Sequence, residues 1–103
     1  MSRAQWGHGY FQGIEAAKQN NSSLVGLFVH IREQGKIQYQ LRVEKELPGS
    51  VFMLRYFSFL SGEPTKSKMF TLVEMKDFDF YESIDDWHSA YDMEYPCVVK
   101  KGW

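Results

Sequence analysis

Apolar and polar residues alternate most regularly in "KIQYQLRVE", where Ile37, Tyr39, Leu41 and Val43 are interleaved with Gln38, Gln40, Arg42 and Glu44. A period of two predicts a strand with one face buried, and it assigns those four apolar residues to that face. Upstream, "SLVGLFVHI" sets Val25, Leu27, Val29 and Ile31 on one face of a second strand. His30 falls on the other side, with Leu24 and Phe28. Between the two runs, "REQGK" supplies Gly35 for a hairpin turn, and "LPGS" supplies Pro48 and Gly49 for the next. "VFMLRYFSFL" is apolar on both faces and reads as an interior strand. "SGEPTKS" breaks it, "KMFTLVEM" reads as a fourth strand, and "DFDFYE" as a short fifth.

Two segments follow a helical period instead. Trp6, Tyr10, Gly13, Ile14 and Ala17 fall on one stripe, which predicts a helix over 6–20 closed by "NNSS". Gly7, Gly9 and Gly13 also invite comparison with a phosphate-cradling loop. Such a loop needs a preceding strand, or a Lys-Ser/Thr pair after its last glycine, and neither is present. Near the C-terminus, Ser83 is placed to cap a helix over 83–94, with Asp86 in the position of a capping-box acid and Ile84, Trp87 and Tyr91 on a common face. Pro96 ends that helix. Residues 95–103 then read as a tail or an edge strand.

The expected fold is therefore α+β: a single domain over 1–103, with a β-meander over 24–81 flanked by an N-terminal and a C-terminal helix. Short antiparallel strands joined by tight turns predict a small barrel or a strongly bent sheet of four to five strands. The strand rhythm from Leu24 to Tyr81 resembles the small five-stranded barrels of the Src-homology and Tudor type. That resemblance implies a closed barrel. It matches no family motif residue for residue, so it implies no site.

Composition is that of an ordinary globular chain: 103 residues, 44% apolar, 24% charged and a net charge of -1. Aromatics reach 17%, which suits a core of few large side chains or an interface built on rings. The near-neutral total conceals a division. Arg32, Lys36, Arg42, Lys45 and Arg55 make the segment from Leu24 to Leu60 basic. Glu82, Asp85, Asp86, Asp92 and Glu94 make the segment from Glu82 to Tyr95 acidic, with no Lys or Arg among them. The lone Cys97 precludes an internal disulfide, and no run is apolar enough to span a bilayer, so the expectation is an intracellular protein in a reducing compartment with no membrane partner.

Candidate chemistry is sparse. His8, His30, His88 and Cys97 show no metal-ligand spacing, and no nucleophile motif surrounds Cys97 or any serine. No metal, cofactor or catalytic residue is expected, and the leading expectation is a non-enzymatic interaction protein. Its predicted surface is acidic and aromatic: Glu82, Asp85, Asp86, Trp87, Tyr91, Asp92 and Tyr95. Anions around aromatic anchors suit a protein partner with a basic surface, for example when an inhibitor or adaptor from a mobile element docks on a host nucleic-acid-handling complex. The alternative is a nucleic-acid-binding barrel using His30, Arg42, Arg55 and Tyr56 on an open face. Arg55, set in an apolar strand, otherwise needs a carboxylate, with Asp85 or Asp86 as expected partner. A small-ligand or enzyme domain with an unrecognised site is the third reading. Monomer and homodimer both stay open.

Overall fold

The computed structural model describes residues 9–58 and 61–95. Along the chain run β1 (Tyr10–Gln12), α1 (Ile14–Asn20), β2 (Phe28–Glu33), β3 (Lys36–Leu47), β4 (Val51–Phe57), β5 (Pro64–Thr71), α2 (Leu72–Met75), β6 (Asp79–Tyr81) and α3 (Ile84–Glu94). The strands form one antiparallel sheet in the order β1-β6-β2-β3-β4-β5. The expected barrel is thus corrected to an open sheet. β1 and β5 are its two edges and do not pair with each other. Nor is it a simple meander, because β6 returns to lie between β1 and β2.

The physical reason is that apolar side chains occupy both faces of the sheet. A small barrel buries one face of its strands, whereas two buried faces require a layer on each side. One cluster joins Ile14 and Ala17 of α1 and Met75 of α2 to Val29, Leu41, Val43, Phe52, Leu54, Phe70 and Phe80. On the other side, Trp87 and Ala90 of α3 pack on Ile37 and Tyr81, with Phe28 and Phe57 partly buried beside them.

A bulge decides which residues go where. Ile31 pairs with Tyr39, but Arg32 pairs with Ile37, so Gln38 is an extra residue. One inserted residue reverses the facing of everything beyond it. Ile37 therefore joins the α3 side, while Leu41 and Val43 join the opposite core and Tyr39 stays exposed. The uniform face expected for Ile37, Tyr39, Leu41 and Val43 is split by this device. Val25, expected to be buried, is exposed ahead of β2.

The N-terminal helix is also shorter than its pattern. Among the described residues of 6–20, Tyr10–Gln12 are strand and only Ile14–Asn20 are helix; Trp6 lies outside the described residues. Gly13 marks the switch. Its φ is 93°, its N–H donates to the Phe78 carbonyl at 2.7 Å, and a Cβ there would stand 2.6 Å from the Lys76 carbonyl oxygen. Only glycine fits so close an approach at a positive φ.

"KMFTLVEM" also divides. Strand β5 ends at Thr71, which caps α2 in a reciprocal capping box with Glu74. The C-terminal helix agrees with its expected span, and Ser83 accepts the Asp86 N–H at 3.1 Å. Both predicted hairpin turns form. Gln34 and Gly35 take φ of 56° and 80°, the two positive values of a type I′ turn. The expected tail or edge strand beyond Tyr95 lies outside the described residues.

Candidate functional site: the outer ridge of the C-terminal helix

The inner side of α3 is fixed to the sheet by specific bonds. Trp87 is 3% exposed, and its indole N–H donates to the Val29 carbonyl at 2.9 Å. Its ring packs on Phe28 and Phe57, with centroids at 4.9 and 5.6 Å. Tyr91 and Tyr95 are half-buried in the same cluster, and the Tyr95 hydroxyl donates to the Ile37 carbonyl at 2.9 Å. The predicted aromatic anchors are thus occupied in holding the helix down.

Glu94 is occupied as well. It accepts from Arg32 at 2.7 Å and from the Ile37 N–H at 2.6 Å. Burial works against its charge, but the Ile37 amide and the Arg32 guanidinium more than offset that, and its carboxyl titrates below the ordinary value. Arg32 also donates to Asp79 at 2.8 Å, and Asp79 accepts from the Tyr10 hydroxyl at 3.1 Å. Asp79 is buried, so this pairing is what makes its charge tolerable there.

His30 sits in the same polar layer and is 0% exposed. Its Nε2 lies 3.2 Å from Gln40 Oε1, and its Nδ1 lies 3.1 Å from the Tyr81 hydroxyl. The amide oxygen can only accept, so Nε2 carries the proton and the Tyr81 hydroxyl donates to Nδ1. Burial holds the imidazole pKa down at about 4, and burial also raises that of Tyr81. Both ring nitrogens are satisfied internally.

What α3 presents outward differs from the expected set. Asp85 and Asp92 are two turns apart on one ridge and exposed, with exposed Glu82 just before the helix. Asp86 is half-buried, with an oxygen near Gly9. Among the described residues, no ion pair engages Glu82, Asp85, Asp86 or Asp92. The ridge is flanked by Ile84, 47% exposed, and by Met93, 63% exposed. These two apolar residues were missed. Ile84 was assigned to the inward stripe, and Met93 stands between two acids with no periodic partner. The signal available was angular: Ile84 and Met93 lie half a turn apart, so both cannot face the sheet.

The alternative set does not converge. Arg42 and Arg55 pair across β3 and β4 on the α3 side of the sheet, while Tyr56 packs on the opposite side and His30 is sealed between strand and helix. Arg42 covers the Phe28 ring at 5.3 Å. Arg55 does find a carboxylate, but it is Glu44 at 2.6 Å and not Asp85 or Asp86. Glu44 follows Arg42 by two residues and so shares its side of the sheet, and the arginine holds the Glu44 carboxyl below its usual range. His8 and Cys97 lie outside the described residues. Among the described residues, no group of His, Asp and Glu is arranged to hold a metal, and no helix is long and apolar enough to cross a membrane. Compared with protein-family models, curated proteins and solved structures, the chain matches none.

Proposed function

We propose that this chain is a non-enzymatic interaction domain that docks the outer ridge of α3 on a basic surface of a partner protein. The observation that carries the reading is the ridge itself: the carboxylates of Asp85 and Asp92, without an ion pair among the described residues, between the exposed Ile84 and Met93, on a helix whose inner side is pinned by Trp87, Tyr95 and Glu94. Long-range attraction from the carboxylates speeds encounter with a cationic surface. The two apolar side chains add contact area on either flank of the carboxylates. Rigid attachment matters because a preordered surface loses little entropy on docking. The internal saturation of His30 supports binding over bond-breaking, since a general base needs a free nitrogen within reach of substrate.

The test is co-purification of tagged wild type, Asp85→Lys/Asp92→Lys and Ile84→Ser/Met93→Ser from the cells of origin. Recovery is quantified by mass spectrometry, and circular dichroism verifies the fold of each variant. The expected result is a protein with a basic surface that is captured by wild type and depleted about tenfold or more by each double substitution. Equal recovery with all three chains removes the ridge from the function.

A further inference from the structure

On the side of the sheet away from α3, helices α1 and α2 cover only part of the surface. They leave a hollow of about 320 Å³ over the ends of β3, β4 and β5, lined by Tyr39, Tyr56, Lys66, Lys68 and Phe70 among others. We infer that this hollow is a stacking platform for single-stranded nucleic acid, with Tyr39 and Tyr56 as base contacts and Lys66 and Lys68 as phosphate contacts.

Three features carry the assignment. First, the rings form a row across three strands. Tyr39 and Tyr56 meet edge to face at 5.5 Å, and Tyr56 and Phe70 stand 6.5 Å apart. Tyr39 is 41% exposed in spite of its size, so a flat ring surface faces solvent where a base can lie on it. Second, the cations are in register with the rings. The Lys66 ammonium lies 5.1 Å from the Tyr56 centroid, and the Lys68 ammonium lies 5.3 Å from that of Phe70. Both lysines are exposed on one strand, two residues and about 6.6 Å apart, a spacing of the order of successive phosphates in an extended strand. Neither is in an ion pair among the described residues, and the one acid at the rim, Glu33, is outnumbered. Third, the acidic helix lies across the full thickness of the sheet from this hollow. Its field is therefore screened from a bound phosphate chain by distance and salt.

The occupant follows from the mixture. An acidic peptide would use the two lysines but leave the rings unsatisfied, and a duplex would withhold its bases from them. An unpaired strand uses both. This inference does not depend on the role of α3.

Fluorescence anisotropy with a labelled oligodeoxythymidine and the full chain tests it, at about 50 and about 200 mM salt. Two phosphate contacts predict a log–log salt slope of about -1.4, or roughly sevenfold weaker binding at the higher salt. Lys66→Gln/Lys68→Gln is expected to remove most of that slope and weaken low-salt binding about tenfold. Tyr39→Ala is expected to weaken binding about fivefold or more at both salts. Lys45→Gln, exposed on β3 away from the hollow, leaves binding unchanged. The inference is overturned if wild type fails to bind the single strand at the lower salt. It is equally overturned if the matching duplex or polyglutamate binds as tightly, or if Lys66→Gln/Lys68→Gln binds like wild type.

Discussion

At His30 the chain places a titratable group where neither water nor ligand reaches it, and that placement has a measurable consequence. The unfolded imidazole titrates near 6.5 and the folded one at about 4, because burial disfavours the cation. Between those values the unfolded chain binds more protons than the folded one. Stability from the neutral ring is therefore complete above 6.5 and is lost as pH falls toward 4, by about 3 kcal/mol over the whole window. Urea midpoints between pH 6.5 and about 5 isolate this effect, since the carboxylates titrate mainly below that range. His30→Gln keeps hydrogen-bonding capacity but cannot titrate, so its stability should be flatter across the same range. Parallel curves for the two proteins would refute the assignment. The residue scale also shows where pattern misleads. Arg55 announced its need for a carboxylate, but the partner was Glu44, eleven residues upstream on the adjacent strand, and not a helix acid. Alternation already puts Glu44 on the face of Arg42; what it does not reveal is that β4 pairs with β3 in the register that sets Arg55 opposite Arg42 and within reach of Glu44.

Elements were legible where local chemistry alone decides them. Both hairpins and α3 follow from turn residues and a capping serine, all of which act within a few positions. Thr71 and Glu74 also spell a capping box, but the β-branched and aromatic residues around them favoured a strand over 68–75. The N-terminal helix was overextended because Tyr10, Ile14 and Ala17 happen to share a helical spacing, while the conformation of Gly13 depends on Lys76 and Phe78. That dependence gives a prediction. Gly13→Ala forces a Cβ to 2.6 Å from a backbone oxygen at a φ of 93°, and should cost about 2–3 kcal/mol. Gly35→Ala, at a φ of 80° with nothing within 4 Å, carries the backbone strain alone, and about 1 kcal/mol is expected. Denaturant unfolding of both variants decides the point, and equal losses would show that the approach to Lys76 is not tight.

For the whole molecule, the sheet is a septum between two surfaces of opposite character. The acidic ridge of α3 lies on one side and the tyrosine–lysine hollow on the other. Strands β2 and β6 are inside the sheet, and every residue of β6 is buried, whereas β5 is an edge with a single buried residue, Phe70. Native-state hydrogen exchange should therefore find the slowest amides in β2, β6 and the centre of β3, with β5 opening at lower free energy. Equal protection of β5 and β6 would contradict that hierarchy. By itself the sequence determined the segments of β2, β3 and β4, the hairpin turns, the capped C-terminal helix and the separation of acidic from basic segments, since each follows from a residue and its near neighbours; β1, expected as helix, and the start of β5 at Pro64, expected as a break, did not follow from it. Tertiary structure alone decided that the sheet stays open, that β6 inserts beside β2, that Ile37 and Leu41 face opposite sides, and that Trp87 is buried while Ile84, Met93 and Tyr39 are exposed. Those outcomes depend on which distant surfaces meet, and one unpaired residue in a ladder is enough to exchange the faces that alternation assigns.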